Sequence, residues 1–343
     1  MGHACEKKGR RDRAFQWIRA ESPKNERKRL RMSKNWKRTL SLCLAAALAI
    51  MGSGCRRHNA EYRLAAGGAQ GLYYACGEAV ASAVSEAVRG MRIVPLETAG
   101  SEENLRLLQN GEADLALMQS DVAAGAEQAE PGTLLGLAAL YTESLQIVAT
   151  QKSGITSVTE MRGKRVSIGA EGSGTQEMAL AVLEACGVEL RDVQARALSL
   201  EESARALREG QLDAYFILSG LPNAATAALA EEQDLTFVPL REETIAALTA
   251  EHSYWQAGEL EAGAYGLQTE KTPTLCVKAL LVSSDNLSEA DAKKIMAALA
   301  EAGNALPVSW KNEDPLTETE IFEGMTVPVH PGAQAYFAPE EEQ

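Results

Sequence analysis

The sequence predicts an α/β protein built of two similar lobes, on three observations. Short apolar runs of strand length alternate with helix-length stretches, the pattern of mainly parallel sheets covered by helices. Two strand, glycine-rich loop and helix units occur, around GGAQGLYYACG at 67–77 and AEGSGTQE at 170–177. NLRLLQNGEADLAL, from Asn104, is echoed ninety-nine residues later by SARALREGQLDAYF, from Ser203, so that Leu108 aligns with Leu207, Gly111 with Gly210 and Asp114 with Asp213. In such sheets ligands bind beyond the C-terminal strand ends, beside helix N-termini, and both glycine-rich loops lie at such ends.

Charge divides the chain before any element does. Residues 1–54 hold 14 Lys/Arg against 4 Asp/Glu, leaving 20 against 43 for the rest, a net of +10 and then −23. A body this acidic repels nucleic acid and anionic lipid, so nucleic acid is excluded as a partner. Met32 opens MSKNWKRTLSLCLAAALAIMGSGC, in which Lys34, Lys37 and Arg38 precede an apolar run at 40–51 and a patch of small residues. That is the build of a secretory signal peptide, with a run short for a permanent membrane span. Residues 1–31 either lengthen its basic region or precede a true start at Met32, and the second reading is preferred. Gly54-Cys55 resembles a bacterial lipobox, with Gly52 where the pattern wants Leu. Cys55 is therefore the expected lipid-bearing first residue of the mature protein, the alternative being cleavage after Ala47-Leu48-Ala49. Residues 55–61 form a polar tether.

The body follows in order. A strand at 62–66 enters the turn at Gly67, Gly68 and Gly71 and leaves as a helix at 72–88. Amides at that helix start lack intrahelical acceptors and carry the positive end of the dipole, so the loop either cradles an anion or only makes a tight turn. Tyr73 and Tyr74 point in different directions there, one packed and one free to wall a pocket. After a strand at 92–96, Ser101 is placed to cap a helix at 102–109, with Asn104 one turn in and Asn110-Gly111 as its stop. A strand at 114–118 leads to Gln119, which can donate to a ligand or satisfy a loop, and then to a helix at 123–128. Apolar runs at 134–140 and 145–150 read as two strands.

The pattern restarts after Gly154. A short helix at 157–161 and a strand at 165–169 precede the second loop, where Ser173, Gly174 and Thr175 stand at the start of a helix at 176–186. Two hydroxyls and free amides suit a carboxylate or phosphate, or make an ordinary cap. No Lys follows at P-loop spacing. Helices at 198–209, 224–232 and 242–250 alternate with extended runs at 212–218 and 235–238. A long apolar strand at 275–282 and a Ser-capped helix at 288–302 come next, and the terminal Glu-Glu-Glu-Gln is expected to be mobile.

Six cysteines occur, and beyond Cys55 the chain has Cys76, Cys186 and Cys276, widely separated among apolar neighbours. They suit small core residues, a Cys76–Cys186 bridge being the other option. No Cys/His spacing fits zinc. His58, His252 and His330 read as structural. Ser173 has no G-x-S-x-G context, and no nucleophile and base pair emerges. The reading is a binding protein without cofactor, metal or catalytic residues, a secreted enzyme being the rival from another class.

Gly-Leu-Tyr-Tyr after a glycine turn, AGSEENL, ALMQSD, GKRVSIGAEGSGT, LREGQLDAYF and VPVHPGAQAYF together resemble the TAXI family, the extracytoplasmic solute receptors of tripartite ATP-independent periplasmic (TRAP) transporters. The resemblance spans 62–337. It implies a two-lobed periplasmic-binding-protein-like fold of type II, with two mainly parallel sheets joined by crossover strands. One lobe would comprise 62–147 plus 277–343 and the other 153–272, with hinge segments at 148–152 and 273–276. It also implies a small organic anion or amino acid in the cleft, of the glutamate, glutamine or 2-oxoglutarate kind, and TRAP membrane permease subunits as partners. Carried over by motif, Gly71 and Tyr73, Ser101 and Asn104, Gln119, and Ser173, Gly174 and Thr175 are the expected ligand-binding residues. Gln70 departs from the family's Ser or Thr, and Ala99 stands where a Gly is usual. An ABC-type or sensory receptor of the same fold is the nearer alternative.

Overall fold

The computed structural model describes residues 60–69, 71–266, 269–303 and 317–338. The leader, Cys55, the tether as far as residue 59, Gln70 and the terminal Glu-Glu-Glu-Gln lie outside the described residues; the last two tether residues, Ala60 and Glu61, are instead the start of the first strand, paired with Met91 and Arg92.

The first elements are β1 (Ala60–Ala65), α1 (Leu72–Ala87), β2 (Met91–Leu96), α2 (Ser101–Gln109), β3 (Leu115–Gln119) and α3 (Ser120–Ala129). β1 lies parallel between β2 and β3, with Leu64 opposite both Pro95 and Leu115. β4 (Leu134–Thr150) then runs through the whole protein, followed by β5 (Arg165–Ser167), α4 (Gly174–Ala185), β6 (Gln194–Arg196), α5 (Leu200–Arg208) and β7 (Ala214–Ser219). Here β5 lies parallel between β6 and β7, repeating the first arrangement. After α6 (Ala224–Glu232), β8 (Leu235–Phe237), α7 (Glu242–Glu251) and β9 (Gln256–Leu260), the long β10 (Thr272–Ser284) returns the chain to the first half. α8 (Glu289–Ala302), α9 (Glu318–Phe322) and α10 (Pro331–Phe337) complete it.

The hydrogen-bonded order is β2-β1-β3-β10-β4-β7-β5-β6. The two parallel sets sit at the ends, and the two long antiparallel strands between them belong to both. β4 pairs with β10 over its first part and with β7 and β8 from Ser144 onward. The two parallel sets are therefore one continuous ladder. The apolar runs at 134–140 and 145–150, read from sequence as two strands, are a single strand, because Tyr141, Thr142 and Glu143 keep pairing with Ala279, Lys278 and Val277.

Strands covered on both faces are apolar on both. In the first half Leu64, Leu117 and Leu281 face α1 and α8, joined by Val80, Ile295 and Leu299. Their strand neighbours Ala65, Met118 and Leu280 face the other way, toward Leu108 and Ala126. In the second half Ile147, Val166 and Phe216 pack with Met178 and Val182 of α4, while Val148 and Tyr215 pack with Leu207 and Phe237 on the opposite face. Burial of a Leu or Phe side chain contributes roughly 1.5–3 kcal/mol, so these four clusters dominate the stability of the sheet.

The internal echo has a structural cause. Asp114 accepts from the Arg63 amide at 2.8 Å and from its Nε at 3.2 Å, while Arg63 Nη2 donates to Gly111 O. Asp213 does the same for Arg165, at 2.9 and 3.0 Å, with Nη1 donating to Gly210 O. Each Arg–Asp clamp ties the entry of one strand to the start of its parallel neighbour. The cysteines Cys76, Cys186 and Cys276 are free, so the Cys76–Cys186 bridge does not form. His330 is buried and caps α10, accepting from the Gly332 amide on Nδ1. His252 stacks on Trp255, their ring centres 3.9 Å apart.

Candidate functional site

A cavity of about 400 Å3 opens where the two parallel sets face each other across the long strands. Its wall is made largely of helix starts. Gly71, Leu72 and Tyr73 come from α1, Gly100 and Ser101 from α2, Gln119 from the residue before α3, and Ser173, Gly174 and Thr175 from α4. Ser199 and Leu200 of α5 and Asn223 and Ala224 of α6 complete the circle. The first amides of each helix have no intrahelical acceptor and carry the positive end of the dipole. At α4, α5 and α6 a side chain caps one such amide: Ser173, Ser199 and Asn223 accept from Gln176, Glu202 and Thr226. The N-caps of α1 and α2 are glycines, with no side chain to spend on the amides. Gly100 has φ +120°, a conformation closed to other residues in practice.

Seven of the eight sequence-derived site residues line this cavity: Gly71, Tyr73, Ser101, Gln119, Ser173, Gly174 and Thr175. Asn104 does not. It is fully buried beneath the loop, accepting from Thr98 Oγ1 at 2.6 Å and donating to Ala66 O and Leu117 O at 2.5 and 2.6 Å. It positions the wall by locking β1, β3 and the loop after β2 together. Ser101 does not cap α2 as expected. Gly100 takes that place, and Ser101, as the first helical residue, turns inward to accept from the Gln119 amide at 3.1 Å and donate to Gln119 Oε1 at 3.2 Å. Ser173 is half-buried, and its hydroxyl is occupied in capping, donating to Ala170 O while accepting from Gln176. Thr175 Oγ1 accepts from the Leu218 amide at 3.1 Å and so fixes β7 to α4. What these residues leave for a ligand is chiefly backbone amide.

Gly174 brings the two halves into contact. A Cβ there would overlap Gln119 Oε1, so only a glycine lets the Gln119 side chain of β3 lie against the start of α4. A second bridge runs from Trp255 Nε1 to Asp121 Oδ2 at 2.6 Å. Burial raises the Asp121 carboxyl above its ordinary value, and the Trp255 hydrogen bond opposes that rise.

The residue that sequence reasoning missed is Glu143. It lies on β4 where that strand passes from one half to the other, 3% exposed, and it lines the cavity. Gln119 Nε2 donates to its Oε2 at 2.7 Å and the Tyr141 hydroxyl to its Oε1 at 3.2 Å. Burial pushes its carboxyl up to about 7, with those two hydrogen bonds holding it from going higher. The Tyr73 hydroxyl lies beside Ser101 and Glu143. It is buried, and it makes no hydrogen bond of normal geometry within the described residues. The signal available in sequence was the polar break Tyr-Thr-Glu-Ser between two apolar runs, a carboxylate in the middle of what is one strand. Among the cavity's described residues there is no Lys, Arg or His, and among the described residues no group of His, Cys, Asp or Glu has metal-ligating geometry.

Solved structures of known proteins share this architecture. A Bordetella bronchiseptica RB50 protein aligns at a TM-score of 0.50 and 16% identity, over 82% of this chain and 90% of that one. PhnD1 from Prochlorococcus marinus (MIT 9301), in complex with methylphosphonate, aligns at 0.50 and 12%, over 71% and 84%. The alkanesulfonate-binding protein SsuA from Xanthomonas axonopodis pv. citri, bound to MOPS, aligns at 0.49 and 20%, over 72% and 74%. At these identities the likeness is one of fold, and the two at 0.50 carry it: the α/β, periplasmic-binding-protein-like architecture expected from sequence is the one this chain adopts. The sequence profile of the NMT1-like family matches residues 64–341, most of the chain, and the chain belongs to that family.

Proposed function

We propose that the protein is an extracytoplasmic solute receptor that captures a small organic acid or amino acid in the cavity between its two halves and releases it to a membrane permease. The observation that carries this reading is the convergence of six helix starts on one cavity of about 400 Å3. The first helical residues behind the glycine N-caps, Leu72 and Ser101, have no side chain capping their amides and line the same cavity as the start of α4. Together they make a preformed seat for a carboxylate, needing no cationic side chain. A cavity of this size suits a ligand of small-metabolite dimensions. The reading is binding without turnover.

The finer assignment is a TAXI-type receptor of a TRAP transporter, resting on the six ordered motifs in the sequence. In it, 62–147 with 277–343 and 153–272 act as lobes that close about 148–152 and 273–276, and Cys55 carries a lipid anchor that keeps the receptor at the outer face of a membrane. Hinge closure about two crossovers fits the way β4 and β10 thread both halves. The test is thermal unfolding of the purified, ligand-free protein against amino acids and small mono- and dicarboxylates. A ligand at a hundred times its dissociation constant adds about 2.7 kcal/mol, seen as a shift of several degrees. A selective shift by one compound supports the receptor, and no shift by any sinks it. For the transporter subtype, uptake by a permease with large multi-span subunits that needs an ion gradient and not ATP is the expected result. An ATP requirement would favour the ABC-type alternative.

A further inference from the structure

Beside the carboxylate seat the cavity wall carries a group of oxygen acceptors. Glu143 Oε1 and Oε2, Gln119 Oε1 and the Tyr73 hydroxyl are gathered next to Ser101 and Gly174, all on residues at least nine-tenths buried. These are oxygen atoms, and the Tyr73 hydroxyl lies beside Ser101 and Glu143 without a hydrogen bond of normal geometry among the described residues. The charge of the wall points the same way. Among the cavity's described residues, Glu143 and the half-exposed Glu201 are the ionisable carboxylates, and no Lys, Arg or His stands with them. A plain mono- or dicarboxylate would add like charge to this wall. A ligand bearing both a carboxylate and an ammonium would satisfy the helix-start amides and these acceptors together.

We infer that Glu143, with Gln119 Oε1 and the Tyr73 hydroxyl, receives a ligand ammonium group, so that the solute is a zwitterionic amino acid and Glu143 decides between it and the corresponding acid without the amine. This inference rests on the solute-receptor reading and narrows it. An ammonium has three N–H donors and no acceptor, which matches a group made of a carboxylate, a carbonyl and a hydroxyl. Bound there, it also neutralises a carboxylate that burial otherwise disfavours in its ionised form. The competing use of Glu143 is as a protonated carboxyl donating to an acid ligand. A glutamine at the same position imitates that neutral donor, so one substitution separates the two.

The experiment is calorimetric titration of the purified protein at pH 7.5 with L-amino acids, each paired with its des-amino and 2-oxo acid, for example L-glutamate with glutarate and 2-oxoglutarate. The same titrations are repeated on Glu143→Gln. The expected result is that an amino acid binds the wild-type protein at least tenfold more tightly than its two amine-free partners, and that Glu143→Gln loses that preference. Glu143→Asp, which keeps the charge on a shorter stem, should retain part of it and covers the case in which Glu143→Gln does not fold. An amine-free acid that binds the wild type as tightly as its amino acid overturns the inference while leaving the receptor reading standing. So does a Glu143→Gln protein that keeps its preference or binds an acid more tightly. No binding by either class removes both.

Discussion

Replacing Glu143 by Gln should stabilise the ligand-free protein, and by an amount that depends on pH. In the folded state the carboxyl is pushed from its ordinary value of 4.5 up to about 7. The unfolded chain releases that proton near the ordinary value, and the folded protein holds it to near neutrality. Between the two the folded state binds more protons, so stability falls as pH rises across this window. Below it, with both states protonated, Glu143 contributes no penalty. Above it the full cost of keeping an ionised carboxylate buried is present, at about 1.4 kcal/mol per unit or about 3 kcal/mol in all. Glutamine cannot ionise, and its carbonyl can still accept from Gln119. The difference in unfolding free energy, Glu143→Gln minus wild type, should therefore climb by about 3 kcal/mol from the acid to the alkaline side of the window, on the order of 5 °C in midpoint for a chain of this size. Urea unfolding of both proteins, ligand-free, at intervals from about pH 4 to about pH 8 measures it. A difference that stays flat with pH would refute the argument, because the buried carboxylate would then not be what sets it.

Four further outcomes follow from contacts described above. Gly174→Ala puts a methyl group onto Gln119 Oε1, so it should break the Gln119–Glu143 hydrogen bond and weaken ligand affinity at least tenfold while leaving the circular dichroism spectrum unchanged; unaltered affinity would show that the two halves need not touch there. Asn104→Ala removes three buried hydrogen bonds and should cost about 2–4 kcal/mol of stability, read by denaturant titration, although Asn104 lies outside the cavity wall. Ser173→Ala with Thr175→Ala loses a helix cap and the partner of the Leu218 amide, a cost of about 2–3 kcal/mol, and should weaken ligand binding without unfolding the protein, by loosening the start of α4; unchanged affinity in calorimetry would show that these two hydroxyls do not set the seat. Asp213→Asn should cost stability at neutral pH and little in acid. The Arg165 hydrogen bonds hold the Asp213 carboxyl below its ordinary range, so its contribution is present above the unfolded value and fades as pH falls through the folded one.

The parts of the fold that could be read from the chain are those governed by nearest neighbours. Glycine-rich loops between a strand and a helix, the stop at Asn110-Gly111 and the alternation of apolar runs all act within a few residues, and the elements they mark are present. The echo of Leu, Gly and Asp was visible for the same reason. Its partners were not, because Arg63 and Arg165 stand about fifty residues upstream of Asp114 and Asp213 and nothing local marks them. The site shows the same division. Seven of its residues were found through loops that announce themselves. Glu143 was hidden by a length error, since dividing one strand into two turned its centre into a supposed connection. Ser101 was assigned to the wrong task because a glycine with positive φ stood beside it and took over the cap. Asn104 was placed in the site, and belongs instead to the framework beneath it, because spacing along a chain cannot separate a residue that faces a cavity from one that supports its wall.

The hydrogen bond from Trp255 to Asp121 makes the protein its own optical probe. Past Cys55 the chain has two tryptophans, Trp255 and Trp310, and Trp255 is held with its indole N–H on a carboxylate from the opposite half and its ring face on His252. Any motion that parts the halves strips that nitrogen of its partner and exposes a ring that is now 3% accessible. The emission of one buried indole would move to the red as the cleft opens and return as it closes. The proposed closure would then be open to timing by stopped flow on the native chain, with no dye attached and no residue replaced.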